Sequence, residues 1–186
     1  MKRIFDILTS GVGVLLLWPL FLLVSLAVKL TSRGTVFHIS DRVGRDNRIF
    51  KMVKFRTMCA DTPHVATHLM DDPAKHLTLI GGFLRKSSLD ELPQLLNVLK
   101  GDMSLVGPRP ALFNQDDLIS LRTEKGVHRL IPGITGWAQI NGRDELPIPE
   151  KVDLDVYYLA NRSFRMDLQI LFGTFINVLK RDGVSH

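Results

Sequence analysis

Ile7-Leu8-Thr9-Ser10-Gly11-Val12-Gly13-Val14-Leu15-Leu16-Leu17-Trp18-Pro19-Leu20-Phe21-Leu22-Leu23-Val24-Ser25-Leu26-Ala27-Val28 is an uncharged run of about 22 residues, the length a helix needs to cross a bilayer. A cleaved leader fits less well, because the run is long for one and no small-x-small site follows before Lys29. Two features depart from a plain spanning helix. Pro19 falls near the middle, where it removes a backbone donor and crowds the carbonyl of Leu15, so a kink is expected. Basic residues lie on both flanks, Lys2 and Arg3 before the run and Lys29 and Arg33 after it, which pulls both ends toward the cytoplasmic side. A straight anchor satisfies one end only. A helix-break-helix that enters and leaves the same leaflet at Trp18-Pro19 satisfies both. Trp18 is unusually deep for a residue that favours interfaces, and its indole N–H is a candidate donor to a carbonyl freed by the kink.

The remainder suits one further folded unit, since 186 residues in all match a single domain of ordinary size. Lys and Arg total 24 against 19 Asp and Glu, a net charge of +5 that favours an anionic partner: nucleic acid, lipid headgroups or a phosphorylated substrate. One cysteine, Cys59, excludes an internal disulfide and fits a reducing compartment.

Next along the chain, Thr35 to Ser40 and Arg48 to Phe55 are rich in β-branched and aromatic residues, with turn chemistry at Gly44-Arg45-Asp46-Asn47 between them. A short β-hairpin is expected. Its many cations suit a face beside anionic headgroups, while Lys54 and Arg56 are also candidates to reach a phosphate. His64 and His68 stand four apart, but no acidic base completes an H-E-x-x-H pattern, so they are not read as metal ligands.

The chemistry concentrates in Ser88-Leu89-Asp90-Glu91-Leu92-Pro93-Gln94-Leu95-Leu96, continued by Gly101-Asp102-Met103-Ser104-Leu105-Val106-Gly107-Pro108-Arg109-Pro110. Leu92, Leu95, Leu96 and Leu99 recur at helical spacing and predict an amphipathic helix ending near Gly101. Ser88 and Glu91 form a capping-box pattern, although Pro93 argues for moving the cap to Asp90, which puts the proline at the third helical position. Either way Asp90 is expected at a helix amino terminus, where the dipole favours its anion and attracts phosphate. Plain capping and nucleophilic chemistry both fit that placement. A carboxylate can attack phosphorus, but two anions must then meet, so cations are required nearby. Arg85 and Arg109 suit phosphate oxygens, and Glu91 suits Mg²⁺ as a hard-oxygen ligand.

Toward the carboxyl terminus, the segment from Ile131 to Arg143 holds three glycines, an aromatic and several polar residues. Such a stretch lets backbone approach a ligand closely, and tight structural turns use the same residues. It lacks both the dinucleotide and the P-loop glycine fingerprints. Glu150 to Asn161 and Met166 to Lys180 are expected helices, the second either a core helix or one lying in the membrane interface.

Taken together and in order, Lys54-Phe55-Arg56-Thr57-Met58, Ser88 to Gln94, Gly101 to Pro110, and Pro132-Gly133-Ile134-Thr135-Gly136 to Asn141-Gly142-Arg143 resemble the bacterial sugar transferases, the monotopic polyprenyl-phosphate phosphoglycosyl transferases in their minimal form. That resemblance covers nearly the whole chain. It implies transfer of a phospho-sugar from a UDP-sugar to undecaprenyl phosphate with release of UMP, at the cytoplasmic face of the bacterial inner membrane. By matching position it implies Asp90 as nucleophile, Glu91 as Mg²⁺ ligand and Arg85 as a phosphate contact. Arg109 and the 132–143 segment, Arg143 included, would shape the nucleotide pocket. Two positions depart from the family pattern. Trp18 stands where members carry Ser before the helix-breaking proline, and Ile131 stands where they carry Lys or Arg, with Arg129 two positions earlier to take that contact.

The expected fold is thus α+β and mainly helical. Residues 1–32 would form the re-entrant membrane hairpin, and residues 33–186 a small globular catalytic domain with the β-hairpin and amphipathic interfacial helices around it. Expected partners are the UDP-sugar, polyprenyl phosphate and membrane lipid, not nucleic acid, with a homo-oligomer or downstream glycosyltransferases left open. Two competing functions are a one-step membrane glycosyltransferase that releases UDP and a membrane-anchored basic scaffold without activity. The scaffold explains the charge but not the Asp-Glu pair.

Overall fold

The computed structural model describes residues 1–59, 62, 72–142 and 146–180. His64, His68 and Arg143 therefore lie outside the described residues. The chain runs α1 (Lys2–Thr31), a hairpin of β1 (Phe37–Val43) and β2 (Ile49–Phe55), α2 (Gly81–Lys86), α3 (Gln94–Lys100), β3 (Ser104–Val106), α4 (Asp116–Glu124), β4 (Gly133–Thr135), α5 (Trp137–Ile140), α6 (Ile148–Asn161) and α7 (Phe164–Lys180).

The first element is one helix of 30 residues, about 45 Å long at 1.5 Å per residue. Pro19 lies inside it, and the two separate helices expected around Trp18-Pro19 are instead a single element. Tertiary contacts along its length hold the helical conformation that Pro19 disfavours. Near its start Lys2 donates to Asp167 at 2.7 Å, and the Arg3 guanidinium donates to the carbonyls of Val98 and Leu99 in the last turn of α3. Those carbonyls are orphaned at a helix end, so a cation there satisfies them and the dipole together. Buried Asp6 accepts from the Ser104 hydroxyl at 2.8 Å. In the middle Gly13 brings α1 close to α3, since a Cβ there would stand 3.4 Å from the Leu95 side chain. Beyond Pro19, Val24 and Val28 are buried with Phe55 and Leu84, and Leu20, Phe21, Leu89 and Leu92 pack around them. The opposite face exposes Leu8, Leu15, Leu16, Trp18, Leu22, Leu23, Leu26 and Leu30. Such a contiguous apolar surface marks a lipid contact rather than a water-facing one.

The hairpin forms as expected, antiparallel from Phe37 opposite Phe55 to Val43 opposite Ile49, its connection a short helical turn at Arg45–Asn47. Asp46 and Asn47 take positive φ there, a conformation these residue types tolerate better than most. The helix after the carboxylate pair ends with Gly101 at φ 104°, also as expected, but its buried face differs from the leucine pattern. Gln94, Asn97 and Val98 are buried, whereas Leu96 is exposed. Helix α3 is clasped between α1 and the hairpin, and its leucine side faces the membrane helix and the apolar exterior. Its polar side faces the protein.

A second, parallel strand pair joins Ser104 to Gly133 and Val106 to Thr135. It is too short to announce itself by alternation, and glycines make it feasible. A Cβ on Gly133 would meet the Gly107 nitrogen at 2.1 Å, and one on Gly136 would meet the Gly107 carbonyl oxygen at 2.2 Å. The glycines of the Pro-Gly-Ile-Thr-Gly segment thus admit the backbone of the Gly-Pro-Arg-Pro turn. Gly133→Ala is expected to cost about 1–3 kcal/mol through forced backbone displacement, or roughly 2–4 °C in melting temperature for each kcal/mol. Gly11→Ala, with nothing within 4 Å of its added methyl, is the matched helical control and is expected to leave melting unchanged or raised. Equal melting of the two variants would show that the close approach is not required.

Candidate active site

The carboxylate pair sits on a tight turn rather than on the first turn of a long helix. Ser88 has a left-handed backbone, φ 56°, and its side chain makes no capping bond. Leu89–Glu91 then make a single 3₁₀ turn, and α3 begins only after Pro93, which lacks the N–H that a cap would have to satisfy. The expected capping box is therefore absent, and the side chain of Glu91 is directed elsewhere. Lys54 Nζ donates to Glu91 Oε1 at 2.6 Å, and Arg109 Nη2 donates to the same oxygen at 2.9 Å. Three elements meet at this carboxylate: the 3₁₀ turn, strand β2 carrying Lys54, and the turn after β3 carrying Arg109.

Neighbouring carboxyls in one site normally share a proton unless their surroundings separate them, and here they do. Burial pushes the Asp90 carboxyl up to about 6, helped by the charge on Glu91 and opposed by Lys54, Arg109 and Arg85. Glu91 is also penalised by burial, but Arg109 and Lys54 outweigh that penalty and hold it well below the usual carboxylate range. Glu91 is thus an ionised group already engaged by two cations. Asp90 is an anion at neutral pH kept ionised by surrounding cations, not by the helix terminus expected from sequence. Asp90 is buried, 7% exposed, so its charge is poorly hydrated.

Arg85, in the last turn of α2, donates through Nε to the Thr57 hydroxyl at 3.1 Å. Burial lowers its pKa, and the charge on Asp90 opposes that effect. Arg85, Lys54, Arg109, Asp90 and Glu91 are therefore brought into one electrostatic cluster. Arg56 is not part of it. Its guanidinium donates to the Ser32 carbonyl at 3.1 Å, to the Ser32 hydroxyl at 2.8 Å and to the Arg33 carbonyl, closing the carboxyl end of α1. Strand β2 ends at Phe55, so Arg56 lies beyond the alternation that would otherwise put it on the same face as Lys54. Arg129 is exposed on the Val127–Arg129 turn. Trp18 is 57% exposed on the apolar outer face of α1, and no hydrogen bond from its indole is found among the described residues.

Sequence reading missed the groups that hold this cluster together. Asn97, 3% exposed, accepts from the Val53 amide at 3.0 Å and donates to the Lys51 carbonyl at 2.7 Å, so it fastens α3 to the strand that presents Lys54. Arg122 donates to Asp155 Oδ2 through Nε at 3.0 Å and Nη2 at 2.6 Å, and through Nη1 to the Arg109 carbonyl at 2.8 Å. The available signal was polar residues at buried helix positions, legible only once the buried face is known.

Among the described residues no group of three or more His, Cys, Asp or Glu side chains converges to hold a metal ion. The donor set fits Mg²⁺ in its substrate-assisted mode, in which one or two carboxylates act with phosphate oxygens and water. Both cations use Oε1 of Glu91, which leaves Oε2 as the oxygen suited to a metal.

An apolar outer helix thus stands beside a paired carboxylate centre among cations, and comparison with known proteins supplies the family. Residues 1–181 match the family model described as bacterial sugar transferase, and the chain belongs to that family. It is 46% identical over 188 residues to the uncharacterized sugar transferase EpsL of Bacillus subtilis (strain 168), covering 100% of this chain and 90% of that protein. It is 41% identical to the exopolysaccharide production protein ExoY of Rhizobium meliloti (strain 1021), over 93% of this chain and 83% of that one. It is also 44% identical to the undecaprenyl-phosphate glucose phosphotransferase of Komagataeibacter xylinus, over 93% of this chain but 35% of that longer protein.

Proposed function

We propose that this protein transfers a phospho-sugar from a UDP-sugar to undecaprenyl phosphate, or a similar polyprenyl phosphate, releasing UMP through an aspartyl phospho-sugar intermediate. The observation that carries the reading is the division of labour between adjacent carboxylates, Glu91 taken up by Lys54 and Arg109 and Asp90 held as a poorly hydrated anion. In the first step an Asp90 oxygen attacks the sugar-bearing phosphorus and the bond from that phosphorus to the UMP oxygen breaks. In the second, an oxygen of the lipid phosphate attacks the same phosphorus, the acyl phosphate bond breaks and the Asp90 carboxylate is restored. Lys54, Arg85 and Arg109 offset the charge that accumulates when these anions meet. Mg²⁺ held by Glu91 would supply further charge stabilisation on the transferring phosphoryl group.

The same reading assigns the protein to the cytoplasmic face of the bacterial inner membrane, with both ends of α1 on that one face. Support comes from both ends of α1 being fastened to one body, through Lys2 and Arg3 at one end and through Ser32 and Arg56 at the other. A helix crossing the bilayer would carry those ends to opposite sides. The undecaprenyl-phosphate phosphotransferase name of one relative supports the lipid acceptor.

The test is UMP release from a UDP-sugar with no lipid acceptor, which should reach about one equivalent per enzyme and stop. Its rate should rise about tenfold per pH unit below pH 6 and level off above, because only ionised Asp90 attacks and its carboxyl is pushed up to about 6. Release of UDP would reject the two-step reading in favour of direct glycosyl transfer.

A further inference from the structure

The turn Gly107-Pro108-Arg109-Pro110-Ala111 is held by bonds to its carbonyls. Two of its residues are prolines and have no N–H to give, so its other backbone donors and its acceptors carry the load. The Gly107 amide donates to the Thr135 carbonyl at 2.8 Å, and the Pro108 carbonyl accepts from the Gly133 amide at 2.9 Å. The Pro110 carbonyl accepts from Arg42 at 3.4 Å, and the Ala111 carbonyl from the Val43 amide at 3.0 Å. Between them, the Arg109 carbonyl accepts from Arg122 Nη1 at 2.8 Å. Arg122 comes from α4, outside both strand pairs, and its guanidinium is gripped on its other edge by Asp155 of α6.

Burial makes this arrangement informative. Asp155 is 2% exposed and Arg122 is 8% exposed, so two charges have been withdrawn from water. For stability alone an apolar pair of similar volume commonly serves as well or better. What an apolar pair cannot do is deliver a rigid donor to one chosen carbonyl. The planar guanidinium fork can, because two of its nitrogens on Asp155 fix the direction of the third. That carbonyl belongs to the residue whose side chain engages Glu91 at 2.9 Å.

We infer that Arg122, braced by Asp155, is a positioning residue that sets the backbone of Arg109 so that its guanidinium stays on the Glu91 carboxylate. Arg122 donates to the Arg109 backbone and not to Glu91, so it acts through Arg109. This role rests on the phosphoglycosyl-transfer reading above.

A double-mutant cycle tests it, using the full-length chain in detergent or lipid nanodiscs with UDP-sugar and no acceptor. Arg122→Gln should slow UMP release by about tenfold or more, since small displacements of a phosphate-binding group are costly. Arg109→Lys alone should retain a measurable rate. In the Arg109→Lys background, Arg122→Gln should cost less than about twofold, because the group it positions has already lost its fork geometry. Losses that multiply in the double variant, or a folded Arg122→Gln enzyme with the wild-type rate, would overturn the inference. If melting shows Arg122→Gln to be unfolded, Arg122→Lys takes its place in the cycle. It keeps a charge for Asp155 but not the third arm to Arg109, and the same non-additivity is expected. Wild-type protein that releases no UMP from any UDP-sugar tested would reject the transfer reading itself. Wild-type turnover with multiplicative losses rejects only the positioning role.

Discussion

Asp90→Asn is expected to abolish UMP release, by about 10⁴-fold or more, and at the same time to make the protein harder to melt above pH 6. The first effect follows from removing the proposed nucleophile, a change for which no neighbour compensates. The second follows from burial. The Asp90 carboxyl is pushed from 3.8 up to about 6 on folding, so the folded state holds its proton more tightly than the unfolded chain does. Stability therefore falls as pH rises from about 4 to 6, and at neutral pH the full cost of the buried anion is present. A neutral Asn relieves that cost, of order 1–3 kcal/mol, and melting should rise by about 2–4 °C for each kcal/mol. Below pH 4, where Asp90 is protonated in both states, the gain should vanish. Melting curves of both proteins at pH 4 and pH 7, beside the UMP assay, give the answer. An inactive variant that melts lower at pH 7 would mean that Asp90 serves the fold, not the chemistry.

Glu91→Gln should do the reverse to stability. Lys54 and Arg109 lose their shared counter-charge and are left converging on a neutral amide in a half-buried site. Removing one partner from such a set costs about 1–3 kcal/mol, so melting at pH 7 should fall. UMP release should drop by about 10²–10³-fold, because the group proposed to carry Mg²⁺ and to orient two cations is gone. Whatever activity remains should have its acid limb below pH 6. Asp90 has lost a neighbouring anion that raised its pKa and has kept the Lys54 and Arg109 charges that lower it. Measured pH profiles of wild type and variant separate the outcomes. An unshifted limb with unchanged melting would show that Glu91 does not hold the two cations.

The opposite signs expected for two adjacent carboxylates illustrate how legible the site was. Asp90 and Glu91 stood out as a pair beside candidate cations, and Lys54, Arg85 and Arg109 do surround them. Those cations, and not the helix amino terminus that the sequence predicts, keep Asp90 ionised. Pro93 delays α3 to Gln94 and leaves the pair on a 3₁₀ turn with left-handed Ser88 before it. Helix periodicity likewise located α3, and Leu92 and Leu95 do pack against buried clusters, but Leu96 is exposed while the polar Gln94 and Asn97 are buried, which periodicity of apolar residues cannot signal. Asn97, Arg122 and Asp155 were invisible for the same reason: a polar residue in a helix signals an anchor only when its face is known to be buried.

Local chemistry in the amino-acid sequence was enough to determine the long apolar helix over residues 7–28, the β-hairpin, the helix that Gly101 ends, and the family to which the chain belongs. Each rests on short-range information: an uncharged run, an alternation, a turn, a motif. Tertiary structure decided that α1 lies along the body as a single helix, that the Pro-Gly-Ile-Thr-Gly glycines receive the Gly107 backbone, and that Arg56 closes α1 while Lys54 serves the site. It also decided that Glu91 is bonded to two cations while Asp90 is a buried carboxylate among them. Those outcomes depend on burial and on partners distant in the chain, and desolvation and ion pairing exist only once the chain has folded around them.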